Sequence, residues 1–328
     1  MKKIAIGIDI GGTNTALGVV DQDGNVILKD NTPTPSHGNI NQYIVDLTDS
    51  IGNLILRLKQ LNENIEIIGI GVGAPNANYY SGNIEYAPNL SFKGIVPFVG
   101  LLKDKFPEIN IITLTNDANA AAIGEMIYGG AKGMKNFAMF TLGTGVGSGL
   151  VVDGNLVYGQ DGFAGECGHI VLIPNGRLCG CGIKGHLEAY CSATGMKRTA
   201  FDLLSKYNST NSILAEYSYN QLEAKNIYEA ALKGDKIALE VFSLTGKWLG
   251  QGLADTVHHF SPEAVFLFGG PMAAGDLIIK PTHESMETHL LPIFKNKVKI
   301  IPSQLKAGDA AIVGASALVW KEVQKYES

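Results

Sequence analysis

Asp9-Ile10-Gly11-Gly12-Thr13-Asn14-Thr15-Ala16-Leu17-Gly18-Val19-Val20-Asp21 opens the chain's first glycine cluster, and Thr141-Leu142-Gly143-Thr144-Gly145-Val146-Gly147-Ser148-Gly149-Leu150-Val151-Val152-Asp153 lies over it at a constant spacing of 132 residues. Each stretch reads as strand, glycine-rich turn, strand. Each then runs into Gly-Asn, at Gly24-Asn25 and Gly154-Asn155. One such turn is an ordinary hairpin. Two in corresponding halves predict a duplicated domain, with one glycine loop from each half facing a shared cleft.

Hydrophobic periodicity fills in the rest. Ile40, Ile44, Leu47, Ile51, Leu54, Ile55, Leu58 and Leu61 form a helix face over 40–61. The apolar run 65–72 reads as a strand buried on both faces. Further strands are predicted at 3–9, 15–21, 26–29, 109–115, 137–142, 150–152 and 264–268. Helices are predicted at 118–128, 187–206, 226–233, 236–259 and 309–325. Strand–helix alternation is the mark of an α/β fold.

A length of 328 residues suits about two domains of about 150 residues each. Apolar residues are 45% and charged residues 17%, a globular composition rather than a disordered one. The net charge of −5, with no Lys/Arg block, gives no electrostatic reason to expect nucleic acid. The apolar start ends at Asp9, too soon for a signal-peptide core. The longest uncharged stretch, 136–152, is too glycine-rich to span a membrane. A cytoplasmic protein is therefore expected. Four cysteines are no disulfide framework at this length, and a close cluster of them in a reducing compartment points to metal.

Glycine lets backbone N–H groups approach an anion closely. Gly11-Gly12-Thr13-Asn14 adds hydroxyl and amide donors, as does Gly143-Thr144-Gly145. With Asp9 at a strand end, where a carboxylate serves a magnesium shell, the pair of loops predicts phosphate binding. No G-x-x-x-x-G-K-[ST] motif occurs. The one G-x-G-x-x-G, at Gly180, Gly182 and Gly185, follows no strand and is interleaved with Cys179 and Cys181, which excludes it as a dinucleotide fingerprint. His169, Cys179 and Cys181 offer the imidazole and thiolate donors that zinc prefers. Thr115-Asn116-Asp117 stands between a strand and an Ala-rich helix. Its polar pair reads equally as a helix N-cap or as a carboxylate facing a cleft.

Asp9-Ile-Gly-Gly-Thr13, the run from Leu142 through Gly145-Val-Gly-Ser-Gly-Leu150 and Gly159 to Gly165-Glu-Cys-Gly-His169, and Cys179-Gly-Cys181-Gly-x-x-Gly185-x-x-Glu188 together resemble the ROK family of repressors and sugar kinases, nearest its bacterial glucokinase branch. The resemblance covers essentially the whole chain. It implies two ribonuclease-H-like α/β domains with the active site between them: a small one at 1–117 plus about 306–328, and a large one at 118–305 with a zinc-binding loop. It implies ATP-dependent phosphorylation of a hexose at the 6-hydroxyl, glucose first, with Mg²⁺. Kinases for N-acetylmannosamine, N-acetylglucosamine, fructose or allose, and a non-catalytic sugar sensor, are the alternatives. Family repressors carry a DNA-binding segment ahead of the first strand; here that strand begins at residue 3, so none is expected.

By the same resemblance Asp117 is the general base, and Asn116, Glu166, His169, Glu188 and Asn89 bind sugar hydroxyls. Gly269-Gly270 resembles the adenosine-side loop. The family's usual third cysteine ligand falls at His186, so the implied zinc set is His169, Cys179, Cys181 and His186, with Cys191 as the alternative fourth ligand. Tyr79 and Tyr80, near the sugar C2 side by analogy, are expected to narrow the space for an N-acetyl group. A homo-oligomer, a dimer first, is expected.

Overall fold

The computed structural model describes residues 1–35, 38–61, 64–306 and 308–327. The chain divides into two compact units. One comprises Met1–Met134, Asn155–Gly165 and Gln304–Ser328; the other comprises Lys135–Gly154 and Glu166–Ser303. Both are α/β. Among the described residues no helix is long and apolar enough to cross a membrane.

The first unit contains β1 (Lys2–Ile10), β2 (Asn14–Asp21), β3 (Val26–Pro33), α1 (Ile40–Leu61), β4 (Ile65–Gly73), a small sheet of β5 (Ala77–Asn78), β6 (Asn83–Glu85) and β7 (Ile95–Val96), then α2 (Phe98–Lys105), β8 (Ile111–Thr115) and α3 (Asp117–Tyr128). Its main sheet has the order β3-β2-β1-β4-β8. Strands β1, β4 and β8 are parallel, so their C-terminal ends share one edge. Asp9 pairs with Gly73, and Gly73 with Thr115, in one row across that edge. Helix α1 buries Tyr43, Ile44, Leu47, Ile51, Leu54 and Leu58. At about 1.5–3 kcal/mol per buried large apolar side chain, this stripe rather than intrinsic propensity holds the helix in place.

The second unit contains β9 (Phe137–Leu142) and β10 (Val146–Val152). The short β11 (Asn155–Leu156) falls in the first unit, and the chain then returns through α4 (Glu188–Cys191), α5 (Ala193–Lys206), α6 (Ala224–Leu232), α7 (Lys236–Phe260), β12 (Ala264–Phe268), α8 (Asp276–His289) and β13 (Lys299–Pro302). The sheet of this unit runs β10-β9-β12-β13, with β9, β12 and β13 parallel. The last helix, α9 (Ala310–Glu327), belongs to the first unit.

Three sequence expectations change in detail. Helix α3, placed in the larger domain from sequence, packs in the first unit against α9, where a Cβ on Gly124 would come within 2.8 Å of Gly314 Cα. The boundary therefore falls after α3 rather than before it. The hairpin echo is also imperfect. Ile10 pairs with Thr15 but Leu142 with Val146, so the second turn is one residue shorter and the spacing of 132 does not carry into its second strand. Finally, the helix expected over 187–206 breaks at Ser192, whose extended backbone ends α4 and whose hydroxyl accepts from Gly195 N at 3.0 Å to start α5. Ser192 is buried, so Ser192→Ala should cost about 1 kcal/mol, the usual value of such a cap. Denaturant unfolding with an unchanged m-value would show this.

Gly7 in β1 and Gly71 in β4 are explained by α9. A Cβ on Gly71 would fall on the carbonyl oxygen of Ala315. The apolar run 65–72 thus carries glycine because a helix backbone lies directly on it.

Candidate active site and metal centre

In open α/β sheets ligands gather at the C-terminal strand ends. At that edge of the first unit stand Asp9, the loop Gly11–Asn14, Asn116 and Asp117. A Cβ on Gly73 would lie 3.7 Å from both Asp9 Oδ1 and Asp117 Cα, so this glycine sits beside both acids. A Cβ on Gly12 would lie 2.8 Å from the carbonyl oxygen of Asn89, which brings Asn89 against the same loop. Gly12, Thr13, Asn14 and Asn89 are all exposed.

Asn116 is the N-cap of α3, its side chain accepting from Ala118 N at 2.9 Å. Asp117 Oδ1 accepts from the same N–H at 2.8 Å. The cap and the acid are therefore neighbouring residues, and the two sequence readings of this segment are compatible. Asp117 is exposed as a residue. Even so, the protein around its carboxyl strips hydration and raises its pKa, against the lowering effect of its backbone hydrogen bonds. Burial first, and the neighbouring Asp117 second, push Asp9 up to about 6. Asp117 disfavours the charge on Asp9, an effect that a divalent cation beside Asp9 would relieve.

The second unit repeats the arrangement. Gly143-Thr144-Gly145 follows β9 and Gly269-Gly270 follows β12, at adjacent parallel strand ends. Gly269 has φ of +122°, and a Cβ there would fall on the Leu142 carbonyl oxygen, so only glycine fits. A Cβ on Gly145 would fall on Glu188 Oε2, and that oxygen accepts from Val146 N at 3.0 Å. This glycine therefore makes room for a carboxylate as well as shaping the turn, a requirement the sequence does not signal because Glu188 is 43 residues away.

The side chains of His169, Cys179, Cys181 and His186 converge, with their ligand atoms all within 4.8 Å of one another. His169 Nδ1 and His186 Nδ1 are 3.2 Å apart, Cys181 Sγ and His186 Nδ1 3.2 Å, and Cys179 Sγ and His169 Nδ1 3.9 Å. A zinc tetrahedron with bonds of about 2.0–2.3 Å has edges of about 3.3–3.8 Å, so the donors fit in type and spacing. Burial first, then His169, lowers the His186 pKa, which favours the neutral imidazole that binds metal. His169 turns Nδ1 toward the cluster, and its other ring nitrogen, Nε2, lies 3.9 Å from Glu166 Oε2. Cys179 Sγ donates to Glu188 Oε1 at 3.2 Å, which places Glu188 directly against the cluster. Cys191 is elsewhere, fully buried, its thiol directed to the Thr245 carbonyl at 3.7 Å. His186 lies in an isolated bridge with Val171, ahead of α4.

Tyr79 and Tyr80 are engaged within the first unit. Tyr79 stacks on Tyr158 with centroids 4.2 Å apart, and its hydroxyl donates to Glu322 at 2.7 Å. The Tyr80 hydroxyl donates to the Gly159 carbonyl at 3.0 Å. Their rings hold the 158–159 segment.

The model of the ROK family matches residues 5–322. The chain belongs to the ROK family. A glucokinase of Thermotoga maritima is 31% identical over 319 residues, covering 97% of this chain and 98% of its own. A glucokinase of Streptomyces coelicolor is 34% identical over 323 residues, covering 96% of this chain and 97% of its own. The crystal structure of a ROK family glucokinase from Streptomyces griseus, in complex with glucose and AMPPNP, superposes with a TM-score of 0.80 at 30% identity, over 97% of this chain and 99% of that one.

Proposed function

We propose that the chain transfers the γ-phosphoryl group of ATP to the 6-hydroxyl of a hexose, glucose first. The observation that carries this reading is Asp117, a carboxyl of raised pKa just past a strand end, beside a second acid and a glycine loop, in a chain to which glucokinases are 31% and 34% identical over nearly the full length. Phosphoryl transfer asks for positioning and charge stabilisation more than covalent chemistry. Asp117 accepts the proton of the 6-hydroxyl as that oxygen bonds to the γ-phosphorus. The bond from the γ-phosphorus to the β–γ bridging oxygen breaks, and ADP leaves.

The remaining groups bind and orient. The loops Gly11–Asn14 and Gly143–Gly145 turn backbone N–H groups of Gly12, Thr13, Asn14, Thr144 and Gly145 toward phosphate oxygens, while the N–H groups of Gly11 and Gly143 close the turns on the Asn14 and Gly145 carbonyls, and Gly269 and Gly270 border the adenosine. Asp9 would hold Mg²⁺, which when bound neutralises phosphate charge. Asn89, Asn116, Glu166, His169 Nε2 and Glu188 take the sugar hydroxyls. Such a set rejects an analogue that lacks a hydroxyl, because a buried partner is then left unpaired. His169, Cys179, Cys181 and His186 would hold Zn²⁺, which when bound cross-links the loop that presents Glu188. A homodimer in the cytoplasm, without a nucleic-acid or membrane partner, is the expected setting.

A coupled ADP-release assay across a hexose panel tests the reading. Glucose should give the highest kcat/KM. A preference for a 2-acetamido sugar would move the substrate assignment. Saturable glucose binding with no turnover on any sugar would make the protein a sensor.

A further inference from the structure

The loop that carries the metal ligands has a second anchor, built without any of them. Helix α4 is one turn long, too short to hold its shape alone in water, yet it begins with Glu188. Gly176 and Arg177 clamp it. Arg177 N donates to the Tyr190 hydroxyl at 2.7 Å, and a Cβ on Gly176 would fall on that hydroxyl. The Arg177 guanidinium lies over the rings of Tyr190 and Trp248, 4.9 and 5.3 Å from their centroids. Nη1 donates to Thr199 Oγ1 at 2.9 Å and to the Gly195 carbonyl at 3.3 Å. Nη2 pairs with Asp202 at 2.6 Å. The arginine side chain is only 18% exposed. One residue thus joins the start of the metal loop to α4, α5 and α7.

We propose that Arg177 is a positioning residue. It seats the 170–186 loop and Glu188 on α5 and α7, so that metal ligands and sugar-facing side chains are assembled before either ligand arrives. Such preassembly lowers the ordering cost of binding. The proposal rests on the sugar-kinase reading for the role of Glu188, and on the four-residue cluster for the metal.

The test uses full-length Arg177→Ala, Arg177→Lys and Thr199→Val proteins, with folding checked by circular dichroism. Zinc affinity is measured by competition with a chromogenic chelator. Arg177→Ala should weaken zinc by about 10–100-fold, the usual effect of removing a group that orients ligands. It should raise the glucose KM and leave the ATP KM unchanged. Arg177→Lys keeps the charge but loses the planar fork, and should fall between. Thr199→Val removes one of the bonds and should weaken zinc in the same direction. A folded Arg177→Ala with parental zinc affinity overturns the proposal, as does an equal rise in both KM values, which would mean general loosening. Weaker zinc with a parental glucose KM overturns the part that concerns Glu188. If Arg177→Ala does not fold, parental zinc affinity in both other variants overturns it. The chelator measurement needs no turnover: a chain inactive on every hexose would sink the kinase reading and leave the metal result to stand or fall separately.

Discussion

Asp117→Ala is expected to lower kcat by about 10²–10⁴-fold, the contribution of a positioned general base, while ATP binding persists. The local fold gives this variant a clean meaning. Asn116 caps α3 and shares the Ala118 N–H with Asp117, so the helix start survives the loss of the carboxylate. On the proposed reading the nucleotide is held by backbone N–H groups of other loops, which the substitution leaves in place. The pH dependence follows from the sign of the shift. Asp117 is raised above the ordinary value of about 3.9 by desolvation, and only its ionised form accepts a proton. The acid limb of kcat/KM should therefore lie above the usual carboxylate range, with activity rising as pH rises through it. For stability the sign is opposite. A carboxyl whose folded pKa is raised binds protons more tightly when folded, so its contribution to stability declines as pH rises through that value. Asp117→Asn, measured without nucleotide at neutral pH, should thus match or exceed the parent in Tm while losing activity. An Asp117→Ala enzyme within a few-fold of the parent would remove the residue from its role.

Long periodic segments are legible because burial there is one-sided and apolar. The eight-residue stripe over 40–61 corresponds to α1 (Ile40–Leu61), and the run 264–268 to β12. Helix α8 gives no such signal. It contains Pro281, and its buried positions include Thr282 and Ser285 beside Ile278 and Met286. It packs where α7 is glycine: a Cβ on Gly246 would lie 2.6 Å from Pro281 Cγ. Close backbone approach replaces the large apolar stripe by which a helix is recognised in sequence. Strands β5, β6 and β7 have two or three residues each, too few for any period to register. The site divides in the same way. Motif residues such as Gly11, Gly143 and Cys179 announce themselves by local pattern. Arg177 does not, because everything that makes it informative lies 12 to 71 residues further along the chain.

A second large effect is expected at the metal cluster, where the sequence leaves His186 and Cys191 as competing fourth ligands. His186→Ala should weaken zinc by more than the about 10–100-fold that outer partners usually contribute, and should raise the glucose KM because Glu188 is two residues away. Cys191→Ala should leave zinc content unchanged. The geometry supplies the reason: His186 Nδ1 lies 3.2 Å from both His169 Nδ1 and Cys181 Sγ, whereas the Cys191 thiol is spent on a backbone carbonyl inside the core. His186→Cys should keep or tighten the metal, since a thiolate adds one negative charge to the set. Metal analysis of the purified variants decides between the ligands. Full zinc in His186→Ala together with loss in Cys191→Ala would reverse the assignment and require the core around Thr245 to open when metal binds.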